Sequence, residues 1–179
     1  LGDMPIYVSD ESADFWANRT LFETTPEGEP KRIAGVPPDY FSEDGQLWGN
    51  PLYDWVRMKQ DGYRWWLQRI GNSLKIYDAV RIDHFRGFYR YWAVPADAKT
   101  ARVGTWEPGP GMELFHAVNA AFSNPQIVAE DLGCEEEGLV QFLLEAGYPG
   151  MKVMQFAYYG WDSIHLPYKY TENYVAYTG

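Results

Sequence analysis

Ala79-Val80-Arg81-Ile82-Asp83-His84-Phe85 is the stretch on which the reading of this chain turns. It has the form of a short buried strand that runs into a charged cluster. Side chains alternate across a strand, so Arg81 and Asp83 share one face and Val80 and Ile82 the other. An arginine two residues from an aspartate can hold that carboxylate ionised and aimed. A carboxylate so held, at the end of a parallel strand, is a good covalent nucleophile.

A second stretch complements it. Gln126-Ile127-Val128-Ala129-Glu130-Asp131-Leu132-Gly133 is again an apolar run that ends in acids, with Val128 and Glu130 on one face. Either stretch in isolation also fits a strand whose terminal acid caps the next helix. Two carboxylates on neighbouring strand ends supply what retaining glycoside chemistry needs, one nucleophile and one general acid/base. Asp131 faces away from Glu130 and reads as its structural neighbour.

The rest of the chain fills in around these two strands. Residues 4–8 look extended, residues 10–18 a short helix or turn, and residues 24–50 a long loop rich in proline, glycine and acids. Asn50-Pro51 reads as a helix start. Helices are expected over 51–60, 62–75, 112–122 and 136–146, with Trp55, Trp65, Trp66 and Ile70 on packing faces. Further strands are expected at 150–156 and 173–178. Strands alternating with helices imply an α/β fold with a parallel sheet and right-handed crossovers.

Composition narrows the function classes. The formal net charge of −10 disfavours nucleic acid and anionic membranes as partners, and a neutral ligand fits better. No apolar run is long enough to span a bilayer, and the first residues do not read as a signal peptide. The single cysteine, Cys134, excludes an internal disulfide framework and a four-cysteine zinc site and fits a reducing compartment. His84, His116 and His165 lack metal-ligand spacing, so no metal and no cofactor are expected. Ser163 and His165 lie close together without a nucleophile elbow and read as loop residues. The glycines at 104–111 lack the Gly-Lys-Ser/Thr of a phosphate loop. Aromatics make up 17% of the residues, with 8 Trp and 14 Tyr. Most fit a core, but their flat faces also suit the C–H faces of sugars.

The quoted stretches, together with Gly2-Asp3-Met4-Pro5-Ile6-Tyr7-Val8, Ala34–Ser42 and Gly45–Pro51, resemble the 4-α-glucanotransferases of the amylomaltase (disproportionating enzyme) family in the α-amylase clan. The likeness covers nearly the whole chain. It implies a single catalytic domain over residues 1–179 that is part of a (β/α)8 TIM barrel, from a stub of strand three to strand seven, with a lid loop at about 24–50. It implies Asp83 as nucleophile and Glu130 as general acid/base, with Arg81 and His84 supporting the nucleophile. It places Asp3, Trp48 and Phe156 near the donor sugar, and Asp39, Tyr40, Phe41, Glu43 and Gln46 in the loop over bound glucan. The implied activity is retaining transfer of an α-1,4-glucan segment to another glucan. The implied partners are maltooligosaccharides and starch- or glycogen-derived glucans, in the cytoplasm or, in a plant, the plastid. A third catalytic aspartate of the family follows a Tyr-Thr-Gly such as Tyr177-Thr178-Gly179, so the isolated chain is expected to be incomplete and inactive. The competing expectations are an α-amylase-type hydrolase and a non-catalytic glucan binder.

Overall fold

The computed structural model describes all residues except Phe41, 133–136 and 171–172. In chain order its elements are β1 (Gly2–Pro5), α1 (Ala13–Ala17), β2 (Arg32–Val36), β3 (Gln46–Pro51), α2 (Trp55–Gln60), α3 (Arg64–Leu74), β4 (Val80–Asp83), β5 (Arg90–Pro95), β6 (Thr105–Pro108), α4 (Met112–Ala121), β7 (Ile127–Ala129), α5 (Glu137–Ala146), β8 (Gly150–Val153) and β9 (Tyr174–Tyr177). Short 3-10 turns lie at Arg19–Leu21, Phe85–Phe88, Met154–Tyr159 and Pro167–Lys169.

The central layer is parallel throughout. β1, β4 and β7 form one sheet in that order, and β8 pairs in parallel with β9. The two sheets meet where the Ala129 N–H donates to the Pro149 carbonyl at 2.8 Å. Among the described residues the sheets do not close on themselves. The class is therefore α/β, as expected, with an open parallel layer.

Alternation sorts this layer into two faces. Met4, Val80, Ile82, Ile127 and Ala129 are all buried. They join one apolar cluster with Trp66 and Ile70 of α3, Leu114, Phe115 and Val118 of α4, and Leu139 and Phe142 of α5. The opposite face carries Asp3 and Arg81, which are register partners, and Asp83 two residues on. Helices thus cover the apolar face, and the polar face is left for chemistry.

Residues 24–50 are not a plain loop. β2 and β3 lie there and pair antiparallel, and β2 also pairs with β5, which pairs with β6, giving the order β3-β2-β5-β6. The register shifts between Ile33 and Gly35, which interrupts the period-two pattern. A Cβ on Gly35 would meet the Gln46 carbonyl oxygen at 2.5 Å, so glycine lets β2 and β3 approach. A small satellite core of Ile33, Val94 and Ala101 holds this sheet together.

Two boundaries also move. Asn50-Pro51 ends β3 and does not open a helix. The cap of α2 is Asp54, whose side chain accepts the Arg57 N–H at 2.9 Å. The strand expected over 150–156 stops at Val153, and a 3-10 turn follows at Met154–Tyr159.

Phe88 sits at the centre of the main core. It is fully buried, and its ring lies 5.0 Å from Trp66, 5.2 Å from Phe115 and 5.3 Å from Phe85. Phe88→Ala in the full-length protein should cost about 3–5 kcal/mol of unfolding free energy in a urea titration. A loss under about 1 kcal/mol would contradict this packing.

Candidate active site

The two acids come together because β4 and β7 are in register, with Ile82 opposite Ala129. The ladder continues past the strand ends. The Glu130 N–H donates to the Ile82 carbonyl, and the Phe85 N–H donates to the Glu130 carbonyl, each at 3.0 Å. Asp83 and Glu130 therefore leave neighbouring strands at the same level.

Arg81 organises the nucleophile side. Its guanidinium donates to Asp83 Oδ1 at 2.5 Å and to Asp3 Oδ1 at 2.7 Å. Its Nε reaches Met151 Sδ at 3.2 Å. The Arg81 side chain is 21% exposed, against 47% for Asp83 and 67% for Asp3, so the cation is partly sheltered and the acids face open space. Held between two carboxylates, the guanidinium is itself fixed, so its bond to Asp83 aims that carboxylate.

Glu130 stands in a different environment. The His84 N–H donates to its Oε2 and the Leu132 N–H to its Oε1, both at 2.7 Å. Burial pushes its carboxyl above the ordinary range, and the nearby charge of Asp83 adds to that. The two N–H groups and Arg81 oppose the rise without cancelling it. One acid is thus open and cation-held, and the other is half-buried with its carboxyl pushed upward by desolvation. Those are the environments that separate two carboxyl groups into different roles.

His84 links the two halves. Its φ of 52° is in the left-handed region, which residues other than glycine rarely adopt. That conformation lets its N–H reach Glu130. Its ring meets Trp48 edge-on, with centroids 4.7 Å apart, and lies 6.5 Å from Tyr7. Burial, helped by the charge of Arg86, lowers its pKa to about 4, so the ring is neutral near pH 7.

The β2–β3 segment reaches the site through Trp48, whose Nε1 donates to Gln46 Oε1 at 3.1 Å. Asn50 Nδ2 anchors the same strand to the Val8 carbonyl at 2.9 Å. The remaining residues expected over the glucan lie further along the segment. Asp39 accepts the Ser42 N–H at 2.8 Å and so closes a turn. Glu43 pairs with Arg102 at 2.6 Å, and Tyr40 is 97% exposed. Phe41 lies outside the described residues, as does Cys134. Phe156 stacks on Tyr159 at 5.5 Å and meets His165 edge-on at 5.3 Å. The structure therefore gathers Asp3, Arg81, Asp83, His84, Glu130, Trp48 and Gln46, while Asp39, Glu43 and Phe156 make the contacts just described and Tyr40 is exposed.

Sequence reading passed over Tyr7 and Met151. Tyr7 is buried against Trp48 and Tyr53, and Met151 contacts Arg81. Both contacts are non-local, joining residues far apart in the chain. Among the described residues no three His, Cys, Asp or Glu side chains converge as a metal site would require. Among the described residues no helix is long and apolar enough to cross a membrane.

The whole chain, residues 1–179, matches the glycoside hydrolase 77 family model described as 4-alpha-glucanotransferase. It is 52% identical over its full length to the 4-alpha-glucanotransferase of Streptococcus pneumoniae, of which it covers 36%. It is 51% identical over its full length to the chloroplastic/amyloplastic 4-alpha-glucanotransferase of Arabidopsis thaliana, of which it covers 31%. Among solved structures, amylomaltase from Streptococcus agalactiae in complex with acarbose superposes with a TM-score of 0.95 at 47% identity, over 99% of this chain and 36% of that one. The chain thus spans about a third of the length of these relatives.

The His84 ring gives a direct check on the site. An unfolded histidine titrates near pH 6.5. Because the folded value is lower, the unfolded chain takes up a proton that the folded chain does not between about pH 6.5 and 4. His84 therefore makes the fold less stable as the pH falls through that window. In histidine-labelled full-length protein its ring resonance should show an inflection near pH 4, and an inflection near 6.5 would contradict the buried site.

Proposed function

The chain belongs to the 4-alpha-glucanotransferase family, and from that premise we propose that the full-length protein carrying it transfers α-1,4-glucan segments by double displacement at Asp83 and Glu130. The observation that carries this reading is the pairing of an open, Arg81-held Asp83 with a more sheltered Glu130, whose carboxyl burial pushes upward, on adjacent strand ends. The five parallel strands then read as part of a (β/α)8 barrel. β1 would be the end of its third strand, and β4, β7, β8 and β9 its fourth to seventh, with the site at their C-terminal ends.

In the first step the Glu130 carboxyl gives its proton to the leaving glycosidic oxygen. A carboxylate oxygen of Asp83 attacks the anomeric carbon from the opposite side, and the C–O bond to the departing glucan breaks as the ester bond to Asp83 forms. In the second step the Glu130 carboxylate takes the proton from the 4-hydroxyl of an acceptor glucan. That oxygen attacks the anomeric carbon and releases Asp83. Two inversions leave the α configuration unchanged. The chemistry sets a separation of about 5–5.5 Å between the two carboxyl groups, which the geometry of neighbouring strands accommodates.

Transfer must outpace attack by water. Trp48 lies against His84 beside the nucleophile, and the β2–β3 segment presents Tyr40 at its exposed tip. We read this segment as a lid that covers sugar faces and keeps the ester dry until an acceptor binds. Asp3, Asp39, Phe41, Glu43, Gln46 and Phe156 would complete the glucan-binding surface.

Incubation of the full-length protein with maltotriose discriminates between the readings. Transfer predicts glucose together with oligomers longer than the substrate. Hydrolysis predicts only shorter products. Glu130→Gln should lower the transfer rate by at least about a hundredfold, the lower range for general acid–base catalysis. Near-normal transfer in that variant would overturn the assignment.

A further inference from the structure

Asp131 lies next to Glu130 in the chain but on the other side of the strand. β7 is three residues long, and no regular ladder joins it to β8. In a regular parallel ladder that contains the bond from Ala129 N–H to the Pro149 carbonyl, the next rung would run from Met151 N–H to a main-chain carbonyl of β7. Here the Met151 N–H donates to Asp131 Oδ1 at 2.8 Å. A side chain has replaced a main-chain rung at the position where the strand gives way to Glu130 and its cage of N–H groups.

Room for that carboxylate is built into β8. A Cβ on Gly150 would sit 2.5 Å from Asp131 Oδ2, so only glycine leaves the space free. Lys152, buried in the same strand with its Nζ 4.0 Å from the Tyr174 ring centroid, places a positive charge nearby. Burial raises the Asp131 pKa, and the Met151 N–H, Lys152 and His165 each oppose that rise.

Met151 carries the connection through the sheet. Its N–H is held by Asp131, while its sulfur on the polar face accepts from Arg81 Nε at 3.2 Å. Arg81 in turn holds Asp83. A closed circuit results, running from Glu130 to Asp131, through Met151 to Arg81, and on to Asp83. The β4–β7 ladder joins the same two acids from the other side.

We propose that Asp131 is a positioning residue: by substituting its carboxylate for the missing β7–β8 rung, it fixes Glu130 relative to Asp83 through Met151 and Arg81. This rests on the transferase reading above. An acid that drifts by about 1 Å loses much of its catalytic power, whereas substrate contacts elsewhere keep their strength. Misplacement should therefore fall on kcat and spare KM.

The test uses the full-length protein, steady-state transfer kinetics and thermal denaturation. Asp131→Ala, which removes the acceptor, should lower kcat at least tenfold with KM changed by less than about threefold. Asp131→Asn retains an acceptor oxygen of the same reach and should recover kcat to within about threefold of the parent. Met151→Leu keeps the backbone donor and removes the sulfur acceptor, so it should lower kcat severalfold with KM unmoved. It is also volume-conserving, so it decides the matter if Asp131→Ala fails to fold. Parent-like kcat in Asp131→Ala, or in Met151→Leu, overturns the proposal. An equal loss in the Ala and Asn variants also overturns it, because charge and not the hydrogen bond would then be responsible. If Glu130→Gln is inactive while the Asp131 variants behave like the parent, the positioning role fails and the transferase reading stands. If Glu130→Gln remains active, the transferase reading itself fails.

Discussion

The parallel register between β4 and β7 is the constraint on which the site depends. Ile82 faces Ala129, and the ladder runs on through Glu130 to the Ile82 carbonyl and from Phe85 to the Glu130 carbonyl. A slip of one residue would turn Glu130 toward the helices and bring a buried alanine to the polar face. The apolar face prevents that slip. Val80, Ile82, Ile127 and Ala129 all belong to the main core, and displacing any of them would expose apolar surface and bury a charge. Core packing on one side of the sheet thus sets chemical geometry on the other.

The polar face is built from opposed tendencies. Burial favours a neutral Glu130, yet its two oxygens accept backbone N–H groups that favour the ionised form. The net shift is upward, which suits a group that must give up a proton and later take one back. One of those N–H groups belongs to His84, whose left-handed backbone costs of order 1–3 kcal/mol. The surrounding rings of Trp48 and Tyr7, and the Phe85 N–H bond to Glu130, hold that conformation in place. Lid segment, nucleophile motif and acid/base motif therefore meet at one residue.

The parallel layer and its acids were legible in the sequence because their determinants are local. Alternation alone puts Arg81 with Asp83, and the observed pairing at 2.5 Å follows from it. Asp131 was likewise legible as a structural neighbour of Glu130. The antiparallel sheet was not legible. β2 carries a register shift at Gly35, and β3 and β6 each end in proline, so turn residues mask the strand pattern. Asn50-Pro51 misled for a similar reason, since Asn50 is occupied by the Val8 carbonyl and leaves the capping to Asp54. The contacts of Met151 and Tyr7 join residues far apart in the chain, and no local pattern encodes them.

The most direct test of the central claim is to trap the covalent intermediate. Full-length protein carrying Glu130→Gln, given a maltooligosaccharyl fluoride whose leaving group needs no acid, should accumulate a glycosyl ester that peptide mass spectrometry assigns to Asp83. Attachment at another residue, or turnover of the fluoride with no adduct in a variant that also lacks Asp83, would contradict the account.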